Sequence, residues 1–117
     1  MQQETRLKTL ALTLGIVGMT ILFAASANAA LDDAKAQELM KTAGCAACHT
    51  VDKKLIGPSY KDVALKRKAA PDAAALLEQK VREGGKGEYG AMPMPPNATS
   101  KISDADLREL VQWVLTK

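Results

Sequence analysis

The chain has 117 residues, 16 basic and 13 acidic, with two cysteines, one histidine and only 3% aromatic residues. That length holds one domain, or one domain behind a targeting segment, and the composition excludes a large enzyme, a disulfide-dense scaffold and a disordered chain. From Ala30 onward only 22 of 88 residues are large and apolar, and none is Phe. A domain under roughly 100 residues is marginal even with a good core, so a disulfide, a metal, a partner or a cofactor has to make up the difference.

Residues 1–29 have the form of a secretory signal peptide. Arg6 and Lys8 precede an uncharged apolar run over 9–25, and Ala27-Asn28-Ala29 puts small residues where a signal peptidase reads. Cleavage is expected after Ala29, which leaves a domain of residues 30–117 outside the cytoplasm, in the periplasm. The competing reading is a retained membrane anchor, since the run approaches the ~18 residues that span a bilayer. Without the segment the net charge is +2, too weak to suggest nucleic acid. The short run Lys66-Arg67-Lys68 reads as a solvated helix end, or as part of a docking rim for an acidic partner.

The remaining pattern is helical. A first helix is expected over 32–43, capped by Asp32 or Asp33, with Ala36, Leu39, Met40 and Ala43 on one face and Gly44 ending it. A short second helix covers 60–67, with Val63 and Ala64 inward. A third follows Pro71, with Ala73, Leu76, Leu77 and Val81 as its buried stripe and Gly84-Gly85 as its end. The last starts at Ser103, with Asp106 as capping-box partner and Leu107, Leu110, Val111, Val114 and Leu115 at helical spacing. Two long connections remain, 45–59 and 84–102. Loops of that length in a small domain are usually functional or wrapped around something.

The first of these loops opens with Cys45-Ala46-Ala47-Cys48-His49, the C-x-x-C-H pattern of covalent c-type haem attachment. Two thiols three apart can each add across one vinyl group of the macrocycle, and the following His is then held beneath the iron. A thioredoxin-like pair would need a strand-helix-strand setting. A structural zinc site would need a fourth ligand. A plain disulfide suits an exported chain but closes a tiny loop and leaves the core shortage in place.

His49 is the only histidine, so a second axial ligand has to be Met, Lys, water or nothing. Met40 belongs to the apolar face of the first helix and reads as core. Met92 and Met94 lie in Gly90-Ala91-Met92-Pro93-Met94-Pro95-Pro96-Asn97, where three prolines lower the entropy cost of holding one side chain in place. A thioether paired with His raises the reduction potential and keeps both axial positions filled, a design for electron transfer that argues against oxygen activation. Spacing alone leaves the choice between Met92 and Met94 open.

The motif Cys45-Ala46-Ala47-Cys48-His49, then Gly57-Pro58-Ser59-Tyr60-Lys61-Asp62-Val63, Met94-Pro95-Pro96-Asn97 and Gln112-Trp113-Val114-Leu115, resembles the small bacterial class I cytochromes c of the c-551/c-552 (c8) family across the whole of residues 30–117. The resemblance implies an all-α fold of about four helices wrapped around one covalently attached haem c. It implies thioethers from Cys45 and Cys48 and iron ligation by His49 and by Met94, the methionine directly before Pro-Pro-Asn; Met92 becomes packing. The carbonyl of Pro58 would accept from the second nitrogen of His49, and Asn97 would hydrogen-bond near the Met94 sulfur. Two positions depart from the family pattern. Tyr89 stands where a propionate-binding Trp is common, and Lys80 where a propionate-binding Arg is common, with Arg82 as a substitute.

The function so implied is that of a soluble periplasmic monohaem carrier of single electrons, monomeric, not an enzyme, and without nucleic-acid or membrane partners once the signal is removed. A terminal oxidase, nitrite reductase, cytochrome complex, peroxidase or photosynthetic centre would suit as redox partner. The rivals are a haem peroxidase or gas binder, which lacks a second His for distal acid–base work, and a haem-bearing subunit of a respiratory complex held by an uncleaved anchor.

Overall fold

The structure, a computed structural model, describes residues 30–117. The expected signal segment, 1–29, lies outside the described residues. Four α-helices follow in order: α1 (Asp33–Thr42), α2 (Tyr60–Arg67), α3 (Ala73–Glu83) and α4 (Asp104–Leu115), with a single 3₁₀ turn over Cys45–Ala47. No strand forms among the described residues; two isolated bridges, His49 to Lys54 and Gly85 to Met94, pin the long loops.

The helix starts are chemical. Asp32 caps α1 by accepting from the Lys35 amide at 2.7 Å. Ser103 caps α4, accepting from the Asp106 amide at 3.1 Å while its hydroxyl donates to the Asp106 carboxylate at 2.8 Å. Ser59 and Asp62 repeat that arrangement at the start of α2, at 3.1 and 2.8 Å, a Ser-x-x-Asp signal that the sequence reading passed over. The α3 start has no side-chain cap. Gly44 ends α1 in the left-handed conformation, φ 81°. This turns the chain out of the helix and directly into the cysteine motif.

Helix α4 is the hub. It packs against α1, α2 and α3, and its Leu107, Leu110, Val111, Trp113 and Val114 are all buried. Ala36 and Met40 of α1 and Tyr60 and Val63 of α2 complete the same core. Trp113 fastens α4 to the start of α1. Its Nε1 donates to Asp33 at 2.8 Å, and Lys117 reaches the same carboxylate at 3.0 Å while lying 4.0 Å from the indole centroid.

The expected stripe of α3 behaves differently. Only Ala73 is buried; Leu77 and Val81 are half-covered and Leu76 is 37% exposed. Their face borders a cleft, so α3 packs on α4 along one edge and leaves its apolar stripe open to that cleft.

Candidate haem site

The site begins at the turn after α1. The His49 amide donates to the Cys45 carbonyl at 2.9 Å and the Cys48 amide to the same oxygen at 3.1 Å. This curls the motif so that Cys45, Cys48 and His49 all border one cleft. Both cysteines are half-buried and free. Burial raises the Cys45 thiol above its ordinary range, and likewise the Tyr60 hydroxyl beside it.

Three contacts orient His49. Its Nδ1 donates to the Pro58 carbonyl at 2.8 Å. Its ring stacks on Tyr60, centroids 5.4 Å apart at 16°. Its edge lies against Gly57, where an added Cβ would stand 2.5 Å from Cε1. In a neutral imidazole, an Nδ1–H committed to a carbonyl leaves the lone pair on Nε2, which is the state a metal ligand needs. Tyr60 in turn meets Trp113 edge-on at 6.0 Å, so the imidazole is braced against the α1–α4 junction. Gly57 itself is placed by its amide, which donates to the Cys48 carbonyl at 2.8 Å.

Met94 borders the same cleft from the second long loop. Its amide donates to Gly85 at 2.8 Å and its carbonyl accepts from Gly85 at 3.0 Å. Gly84, at φ 69°, permits this approach, because a Cβ there would fall 2.3 Å from the Met94 carbonyl oxygen. Asn97 holds the other end of the segment. Its amide nitrogen donates to the carbonyls of Val81 and Pro95 at 3.3 and 3.0 Å, so it ties the proline run to the end of α3. Met92 also borders the cleft but is 66% exposed.

The remaining wall is apolar and comes from α3 and α4: Leu76, Leu77, Val81, Leu107, Leu110, Val111 and Val114, with Ile102. The cleft holds about 270 Å³. Tyr89 and Lys80 both border it. The Tyr89 hydroxyl is buried without a hydrogen-bond partner, and burial pushes it above the ordinary tyrosine range. No carboxylate of the described residues pairs with Lys80. Arg82 is engaged elsewhere: it donates to Asp104 at 2.6 Å and to the Asn97 carbonyl at 3.1 Å. Arg67, which the sequence reading did not connect with the cleft, borders it.

These residues fit a haem. An apolar slot carries two thiols and a free imidazole nitrogen at one border, and an orphaned phenol and an unpaired ammonium as donors for carboxylates. No group of three or more His, Cys, Asp or Glu gathers for a bare metal ion among the described residues.

Comparison with known proteins agrees. Residues 34–117 match the family model for cytochrome c. The chain is 45% identical over 80 residues to cytochrome c-551 of Azotobacter vinelandii, covering 68% of this chain and 94% of that one. It is 44% identical over 95 residues to cytochrome c-552 of Nitrosomonas europaea, covering 80% of this chain and 90% of that one. The crystal structure of wild-type Nitrosomonas europaea cytochrome c552 superposes with a TM-score of 0.63 at 44% identity, over 68% of this chain and 96% of that one.

Proposed function

The chain belongs to the cytochrome c family, among its c-551/c-552 members, and we propose that it is a periplasmic, diffusible electron carrier whose iron is bound axially by His49 and Met94. As a family member it carries one covalent haem c and transfers electrons instead of converting a substrate. When bound, the group supplies an iron that takes up and releases one electron. Cys45 and Cys48 would hold it by thioethers, and Tyr89 and Lys80 would face its propionates.

One observation carries the reading: a single cleft collects both motif thiols, the only histidine with Nε2 free, and a methionine whose backbone is paired at both its amide and its carbonyl. The chain's own residues then do three things. Pro58 and Tyr60 fix the imidazole plane. The Gly85 pairing and the Asn97 tie hold the Met94 loop, which would keep the thioether available to the iron and small molecules away from it. The walls of α3 and α4 exclude water, so little rearrangement accompanies a change of charge. Redox partners of the oxidase, nitrite reductase, cytochrome-complex or peroxidase kind would be met by diffusion, with only mild steering from a net charge of +2 over residues 30–117.

Mass spectrometry of the purified protein tests the export reading: a mass for residues 30–117 plus one haem supports the free carrier, and a full-length mass refutes it. Reduced-minus-oxidised spectra with candidate partners test the carrier reading. A reduced protein that no redox partner reoxidises, while it turns over peroxide, would refute it.

A further inference from the structure

The basic run Lys66-Arg67-Lys68 is the feature of the sequence that electron carriage leaves unused. Two of its three side chains are engaged within the chain itself. The Arg67 guanidinium pairs with the Glu88 carboxylate, the two side chains only 26% and 23% exposed. Lys66 Nζ stands 3.7 Å from the same carboxylate, donates to the Glu88 carbonyl at 3.2 Å and lies 4.5 Å from the Tyr89 ring centroid. All of these contacts join the last turn of α2 to one point of the loop that carries Met94. Glu88 lies between the two residues of the Gly85–Met94 pairing, which closes the loop on both sides of it. Gly84, Gly85, Gly87 and Gly90 all have positive φ, so the stretch 84–90, before the proline run, derives its shape from its anchors.

We propose that Lys66, Arg67 and Glu88 form an ionic latch that holds the 84–97 loop on α2 and thereby positions Met94 at the iron. The proposal rests on the reading of Met94 as axial ligand. An exposed ion pair alone contributes little, but two cations sharing a partly buried carboxylate, with one cation also on an aromatic face, form a network in which each contact holds the others in place. The three residues act through Met94 and are positioning residues. The run is therefore neither a merely solvated helix end nor wholly available to a partner: Lys68 alone of the three lacks such a contact among the described residues.

The test uses ferric holoprotein titrated with imidazole, which binds only when Met94 leaves, together with hydrogen exchange of the Gly85 and Met94 amides. Glu88→Gln is expected to bind imidazole about tenfold more tightly, which is about 1.4 kcal/mol of lost closure. The two loop amides should exchange faster by a similar factor while the Leu110 and Val111 amides of α4 are unchanged. Arg67→Gln should do the same to imidazole affinity, and combining the two should add little, as for residues acting through one pair. Salt near 1 M should move the wild type toward Glu88→Gln and leave that variant where it is. Unchanged imidazole affinity in Glu88→Gln, fully additive effects, or equal acceleration of the α4 amides overturns the latch. A wild type that takes up imidazole as readily as Met94→Ala refutes the ligand assignment itself, a different result from a wild type that resists imidazole with Glu88 inert.

Discussion

Replacing Gly57 with Ala tests the construction of the histidine site. The new Cβ would stand 2.5 Å from His49 Cε1, 2.9 Å from Nδ1 and 3.1 Å from Nε2, so three atoms of one ring are touched at once. Gly57 is not among the positive-φ glycines, and the cost is steric, not a matter of backbone strain. The ring has nowhere to yield: Nδ1 is bonded to Pro58 at 2.8 Å and the ring is stacked on Tyr60. Overpacking of this kind costs about 1–3 kcal/mol, and tilting the ring off the Pro58 carbonyl forfeits about 1 kcal/mol more. At about 4–8 °C per kcal/mol for a domain of this size, the holoprotein should melt about 8–32 °C lower. Thermal melts of the ferric protein give the first readout. The Nδ1–H resonance of His49 gives the second and should move. A variant that melts within about 3 °C of wild type with that resonance in place would show that Gly57 does not shape the site.

Met94→Ala should lower the reduction potential and open the iron to imidazole, whereas Met92→Leu should leave the ligand-field spectrum nearly intact; the reverse pattern would exchange their roles. Replacing both Cys45 and Cys48 with Ala should leave haem extractable by acid–organic solvent and the apoprotein largely unfolded by circular dichroism, because the stripe of α3 then has nothing to cover it; a well-folded variant without haem would contradict this. Lys117 first, and then Trp113, hold the Asp33 carboxyl below the ordinary aspartate range. A carboxyl made more acidic by folding stabilises fully above its unfolded value and ceases to do so as the pH falls through the lowered folded value. Melting temperature should therefore drop less between pH 7 and strong acid in Asp33→Asn than in wild type, and parallel acid limbs would refute the linkage.

Much of the fold was legible because its signals are local. Ser103 with Asp106, Asp32 at α1 and Gly44 after it each act within one helical turn, and the helices lie where those residues put them, with α2 over Tyr60–Arg67 as expected. The cysteine motif was legible for the same reason: its spacing is itself the chemistry. Less legible was anything whose partner is remote in sequence. The stripe of α3 has the period of a buried face, and periodicity cannot distinguish a face covered by protein from one that borders a cofactor cleft. Arg82 and Lys80 lie two apart on α3, yet Asp104 and Asn97 claim the first and leave the second at the cleft.

By itself the sequence determined four helices, the attachment of one haem and the nature of the missing core, because capping, apolar periodicity and the reach of two thiols are set by neighbouring residues. Tertiary structure alone decided how Gly57 and Tyr60 brace the His49 ring, which cationic side chains face the cleft, and how the Met94 loop is anchored. Each of those depends on groups brought together from distant parts of the chain: Gly57 and Tyr60 on the imidazole, Gly85 on Met94, and Lys66 and Arg67 on Glu88. Such pairings leave no period or spacing to read, since their free energy comes from contacts that exist only once the helices have packed.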